Sequence, residues 1–281
     1  MNLTHREEVL LEELHTWRQS FLEYEATDLE NSYDKWVDQA FSLLPESLQK
    51  QFFERLDDWL FQLNSLLRGT KLQNEASERI LNAARSMNEE VESFSDMRSK
   101  MSVAQLTFIA EQQASRHRIY SLVQGGMVGS GQPLFITSDF IAMLVINLRA
   151  VQLTAMSFGY DVQSPAGLLE TLKVFNVATM PERMKMFGWE DLMEDLQKDD
   201  EQFYFDIHER ITDYSWVDEP LKELLKISLI MLFSRKTISG IPLISVAIGA
   251  GMNYRTTRKV THFAVKYYQY KYLLEKSGEL K

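Results

Sequence analysis

The chain has no cysteine, and this absence removes disulfides and every zinc or iron–sulfur site built on thiolates. A cysteine-free chain fits the cytosol. Its five histidines, His5, His15, His117, His208 and His262, show no His-Glu-x-x-His spacing, and no Gly-x-Ser-x-Gly elbow is present, so metalloprotease and serine-hydrolase signatures are both missing. Neither a Gly-x-x-x-x-Gly-Lys-Ser/Thr loop nor a calcium-loop pattern of alternating aspartates occurs. No metal and no cofactor is expected. Basic charge is also in deficit: 30 Lys and Arg against 40 Asp and Glu give a formal net charge of −10, which argues against general nucleic-acid binding. The first residues, Met-Asn-Leu-Thr-His-Arg-Glu-Glu, lack the apolar core of a signal peptide, so export by that route is not expected. No stretch alternates with period two for long enough to form a sheet, and no internal repeat is visible.

What remains is helical rhythm. Thr4 and Glu7 have capping-box spacing, and Leu10, Leu14, Trp17, Phe21 and Tyr24 then recur at steps of four and three, predicting a helix with one apolar stripe that packs on the protein's own core. Pro45 opens a further helix that Gly69 closes. Thr70 and Gln73 start another, with Ile80, Leu81 and Ala84 on one side. The polar run from Asn88 to Lys100 reads as a loop or hinge. Ser102 and Gln105 cap a helix that runs into a glycine-rich stretch, Ser164-Pro165 and Met180-Pro181-Glu182 open two more, and Asp218-Glu-Pro220 opens an apolar one. The acidic run from Trp189 to Asp213 is expected to be a solvated face, and the last helix spans Asn253 to about Leu274. The chain reads as all-α over 1–281, with peripheral helices in 1–100 and the core in 101–281.

Two segments organise that core. In the first, Gly125, Gly126, Gly129 and Gly131 lead through Pro133 to Asp139, then to Arg149 about three turns later, and to Gly159 at a position suited to a left-handed cap. In the second, Gly240-Ile-Pro leads to Gly249, Gly251 and Asn253-Tyr254, with small residues four apart. The two are expected to pack as a helix pair, the glycines allowing close approach rather than cradling a phosphate. This combination of Gly-Gly-x-x-Gly-x-Gly, Asp, Arg and Gly-Tyr-Asp, followed by Gly-Ile-Pro, Gly-Ala-Gly and Asn-Tyr, resembles the EcsC family of bacterial proteins. The resemblance is concentrated in 124–161 and 235–274, with Ser245 standing where a glycine is expected. It implies little chemistry, since the family is named for a gene beside an ABC exporter linked to secretion.

Two functional expectations follow. Arg255, Lys259, His262 and Lys266 fall at i, i+4, i+7 and i+11 on one helical face, with tyrosines interspersed, as a surface meeting anionic headgroups or a membrane protein would. With the family resemblance, this suggests an accessory protein of the cytoplasm or of the inner face of the cell membrane, linked to transport or secretion. The alternative is an enzyme or a binder of a lipid-like ligand, with Asp139, Arg149 and Asn253 around an internal cleft.

Overall fold

The computed structural model describes residues 3–25, 71–128, 136–180, 182–197 and 242–280. Among them there is helix and no strand. The α-helices are α1 (His5–Leu22), α2 (Lys71–Met87), α3 (Phe94–Lys100), α4 (Val103–Val128), α5 (Ile136–Ser157), α6 (Pro165–Thr179), α7 (Lys185–Gln197) and α8 (Pro242–Ser277), with a 3-10 turn at Glu182–Met184 before α7. The helices expected around Pro45 and Pro220, the Thr70 cap, and Gly129, Gly131 and Pro133 lie outside the described residues.

The predicted caps form for the reasons that predicted them. The Thr4 hydroxyl accepts from the Glu7 amide while the Glu7 carboxylate accepts from the Thr4 amide at 3.0 Å. Ser102 and Gln105 make the same exchange ahead of α4, and Ser164 caps α6 with Pro165 in its first turn. The expected hinge at 88–100 is different. Ser93 and Asp96 form a further capping box that starts α3, and only the short link before it is irregular. That link is held by the Arg85 guanidinium donating to the Val91 and Glu92 carbonyls and by Lys100 donating to the Glu90 carbonyl. Polar side chains that read as a loop or hinge are therefore used locally, to cap a helix and to hold the link before it.

Gly159 ends α5 at φ +83°, with its amide donating to the Met156 carbonyl and the Tyr160 amide to the Ala155 carbonyl. A Cβ there would stand 2.5 Å from the Phe94 carbonyl oxygen and 2.9 Å from Arg98 Cβ, whereas Gly278, which ends α8 at φ +86°, faces open space. Gly278→Ala is expected to cost about 1 kcal/mol for the left-handed backbone alone. Gly159→Ala should cost roughly 1–2 kcal/mol more, because α3 must also move. Urea denaturation of the two variants checks the difference.

The fold is assembled on α8. The expected break near Asn253 is absent, and the small-residue segment and the basic segment form one helix of 36 residues, about 54 Å long. Gly249 and Gly251 lie inside it, as Gly125 and Gly126 lie inside α4, so none of these four serves as a left-handed turn. α4 runs antiparallel to α8, since Arg118, Thr107 and Met101 meet Thr261, Gln269 and Tyr272 in that order. The helices carrying the two small-residue segments thus lie side by side. An aromatic cluster lies further along α8, where Trp189 of α7 meets Phe263, Tyr267 and Tyr270, and Trp17 and Phe21 of α1 close over the same rings. No helix among the described residues is long and apolar enough to cross a membrane.

Candidate functional site

The internal cluster expected from the sequence is only partly drawn together. Asp139 is placed by its backbone, in the first turn of α5. Arg149 is half-buried on the same helix and Asn253 is half-buried on α8. Arg149 stands among positive charge: burial first, and then Arg79 of α2, lower its pKa. Close to it on α4 is His117, which no spacing in the sequence marks as part of a site. His117 is buried, its ring nitrogen is 3.2 Å from the Gln113 carbonyl, and burial is the main cause that lowers its pKa to about 4, reinforced by Arg149 and Arg79. Gln113, Asn147, Gln152 and Thr257 add buried polarity to the same three central helices, α4, α5 and α8. Several of these side chains keep a polar atom without a hydrogen-bond partner among the described residues, namely Gln113 Oε1, Asn147 Oδ1 and Thr257 Oγ1. No nucleophile with an adjacent base is formed here, and among the described residues no group of three or more acidic or histidine side chains is placed to hold a metal ion.

His117 makes this layer sensitive to acid. In the unfolded chain its pKa returns to the ordinary value near 6.5, so the unfolded state binds the proton first. Its stabilising share is whole above pH 6.5, falls as pH drops towards 4, and is gone below that. The loss is at most about 3 kcal/mol. His117→Gln should flatten the stability curve over that window in denaturant titrations. The lowered pKa of His262 adds slope of the same sign.

The basic face of α8 is real as a row of positions but uneven in exposure. Arg255, Lys259 and His262 are exposed, whereas Lys266 is half-buried with its ammonium 5.3 Å from the centre of the Trp17 ring. Lys259 approaches Glu182 at 3.7 Å. Partial burial of the ring, together with Lys266, Arg118 and Arg258 and against the opposing effect of Glu111, lowers the pKa of His262, which weakens it as a cation of the row. Arg258, exposed beside the row, adds a full charge that a strict i, i+4 reading passes over. Tyr267, Tyr268, Tyr270 and Tyr272 are not part of this surface. They are buried, with Tyr267 donating to Glu170, Tyr272 donating to the Met101 carbonyl, and Lys271 bridging Glu170 at 2.8 Å beneath the Tyr160 ring. Only Tyr254 of the set reaches solvent.

The α4 face beside α8 was not anticipated. Ile119, Leu122 and Val123 are 58, 43 and 56% exposed, next to the exposed Arg116. The sequence does carry a signal for the charge of this region. From Gln112 to Ser138 and from Leu224 to Leu274 there is no Asp or Glu, although the chain as a whole is acidic, and the second stretch holds eight Lys and Arg. Charge is segregated, and the total of −10 conceals it.

Among the described residues, an all-α fold in which α4, α5, α6 and α1 pack on one long C-terminal helix and α2 packs on α4 and α5 defines the class of protein. The sequence profile of the EcsC protein family matches residues 8–273, and the chain belongs to that family. No curated protein and no solved structure matches it.

Proposed function

We propose that this EcsC-family chain is an accessory protein acting at the cytoplasmic face of the membrane, held on anionic lipid by the outer face of α8. The observation that carries the reading is the exposed cationic set Arg255, Arg258 and Lys259, in a stretch free of carboxylates on a chain with an excess of them. Each cation brought to an anionic leaflet contributes about 1 kcal/mol, and the attraction decays over a Debye length. Acidic segments elsewhere would be repelled by the same surface, which orients the protein with α8 inward. The family's association with an ABC exporter makes a transport or secretion complex the partner to look for at that surface.

Sedimentation with vesicles tests it. The full-length protein is expected to pellet with vesicles rich in phosphatidylglycerol at low salt and to be released as salt rises, while zwitterionic vesicles leave it in solution. Absence from the anionic pellet at every salt concentration removes the proposal.

A further inference from the structure

Building on that membrane reading, we infer that the outer face of α4 is an insertion surface, whose side chains Ile119, Leu122 and Val123 enter the acyl region of the bilayer while α8 holds the headgroups. The three residues fall within an arc of about 100° on α4. They are not isolated exposed residues but neighbours on one helical face, exposed together towards the end of α4. Arg116 adjoins it on the same face. The register of the antiparallel pair connects the patch to the cationic set. Arg118 Nε donates to Thr261 Oγ1 at 2.9 Å, and one turn on, Leu122 comes level with Thr257 and Arg258. Apolar side chains and cations therefore lie on adjoining helices, with no carboxylate on either helix between Gln112 and Val128 or between Pro242 and Leu274; Glu111 of α4 is taken up by Arg118 at 3.3 Å, and Glu182 approaches Lys259 at 3.7 Å.

Charge complementarity selects the occupant. A protein partner would have to supply a hollow matched to these side chains, whereas a bilayer accommodates exposed side chains on a helical face without one. Fixed cations beside that patch match anionic headgroups above acyl chains, the arrangement used by amphipathic surfaces that lie in the interface. Adsorption by charge alone would leave no use for three large aliphatic side chains in water.

The absence of cysteine gives a direct test. Ile119→Cys, labelled with an environment-sensitive dye, places one probe on the patch, and Ser95→Cys, exposed on α3, places one at the far end of α8, where Arg98 approaches Glu275 at 3.8 Å. On adding phosphatidylglycerol vesicles to the full-length protein, the dye at 119 is expected to shift to the blue and to become accessible to an acyl-chain quencher, while the dye at 95 stays in water. Ile119→Ser combined with Leu122→Ser should weaken binding about 100-fold, near tenfold for each side chain, with the melting temperature unchanged. Binding that persists with an aqueous spectrum at 119 and full affinity in the double serine variant overturns insertion and leaves electrostatic adsorption. Failure of the unlabelled protein to bind at all overturns the membrane reading itself, so the two failures are told apart.

Discussion

Trp189→Ala is expected to destabilise the protein by about 3–5 kcal/mol, close to the limit for a single core truncation. Trp189 has no exposed surface and lies at ring-centroid distances of 5.3 Å from both Trp17 and Tyr270, and 6.1 Å from Phe263. Its removal leaves a cavity lined by residues of α1 and α8 that are themselves held by packing on neighbouring rings, so little can collapse into the space. The same helix offers its own control. Phe187, two residues earlier, is exposed, and Phe187→Ala should stay within about 0.5 kcal/mol of the parent. Urea denaturation with a common slope checks both. A loss below 1 kcal/mol at Trp189 would mean that α7 does not close the core as described.

The second large effect concerns the surface. Arg255→Glu with Arg258→Glu replaces two exposed cations by two anions, a change of four charges on the face proposed to meet lipid. At about 1 kcal/mol per cation, with repulsion added, affinity for anionic vesicles should fall by roughly 30- to 1000-fold. These two positions are better probes than Lys259 and Lys266. Lys266 lies over the Trp17 ring and Lys259 faces Glu182, so altering them would disturb packing and an ion pair as well as the surface. The arginine variant should melt as the parent does, since surface substitutions away from buried networks change stability by about 0.5 kcal/mol or less.

The legible parts of the fold were those set by neighbours in sequence. Thr4, Ser102, Ser164 and Gly159 act within a turn or two of themselves, so their caps could be read directly. The family, too, was visible in its two glycine-bearing blocks. What could not be read depended on contacts between distant residues. Lys173 gives an example: it is buried on α6 and pairs with Asp191 and Asp195 of α7, so part of an acidic run that looks solvated is anchored inward. The tyrosines of α8 show the same limit. Their spacing among lysines resembled a headgroup surface, yet the helix turns them towards α4, α5 and α7, and only packing decides which side of an evenly amphipathic helix is covered. The proposed lipid face divides in the same way. Arg255 and Lys259 stand out by periodicity, whereas Arg258 and the α4 patch enter the proposal only because Arg118 and Thr261 set the two helices in register.

The measurement that bears most directly on the membrane role is the partition of the parent and the Arg255→Glu, Arg258→Glu protein onto vesicles of increasing anionic content, at one fixed low salt concentration. The parent is expected to bind more tightly as the anionic fraction rises, while the variant stays in solution throughout. Equal binding of the two proteins across the series would contradict the assignment of α8 as the face that meets the membrane.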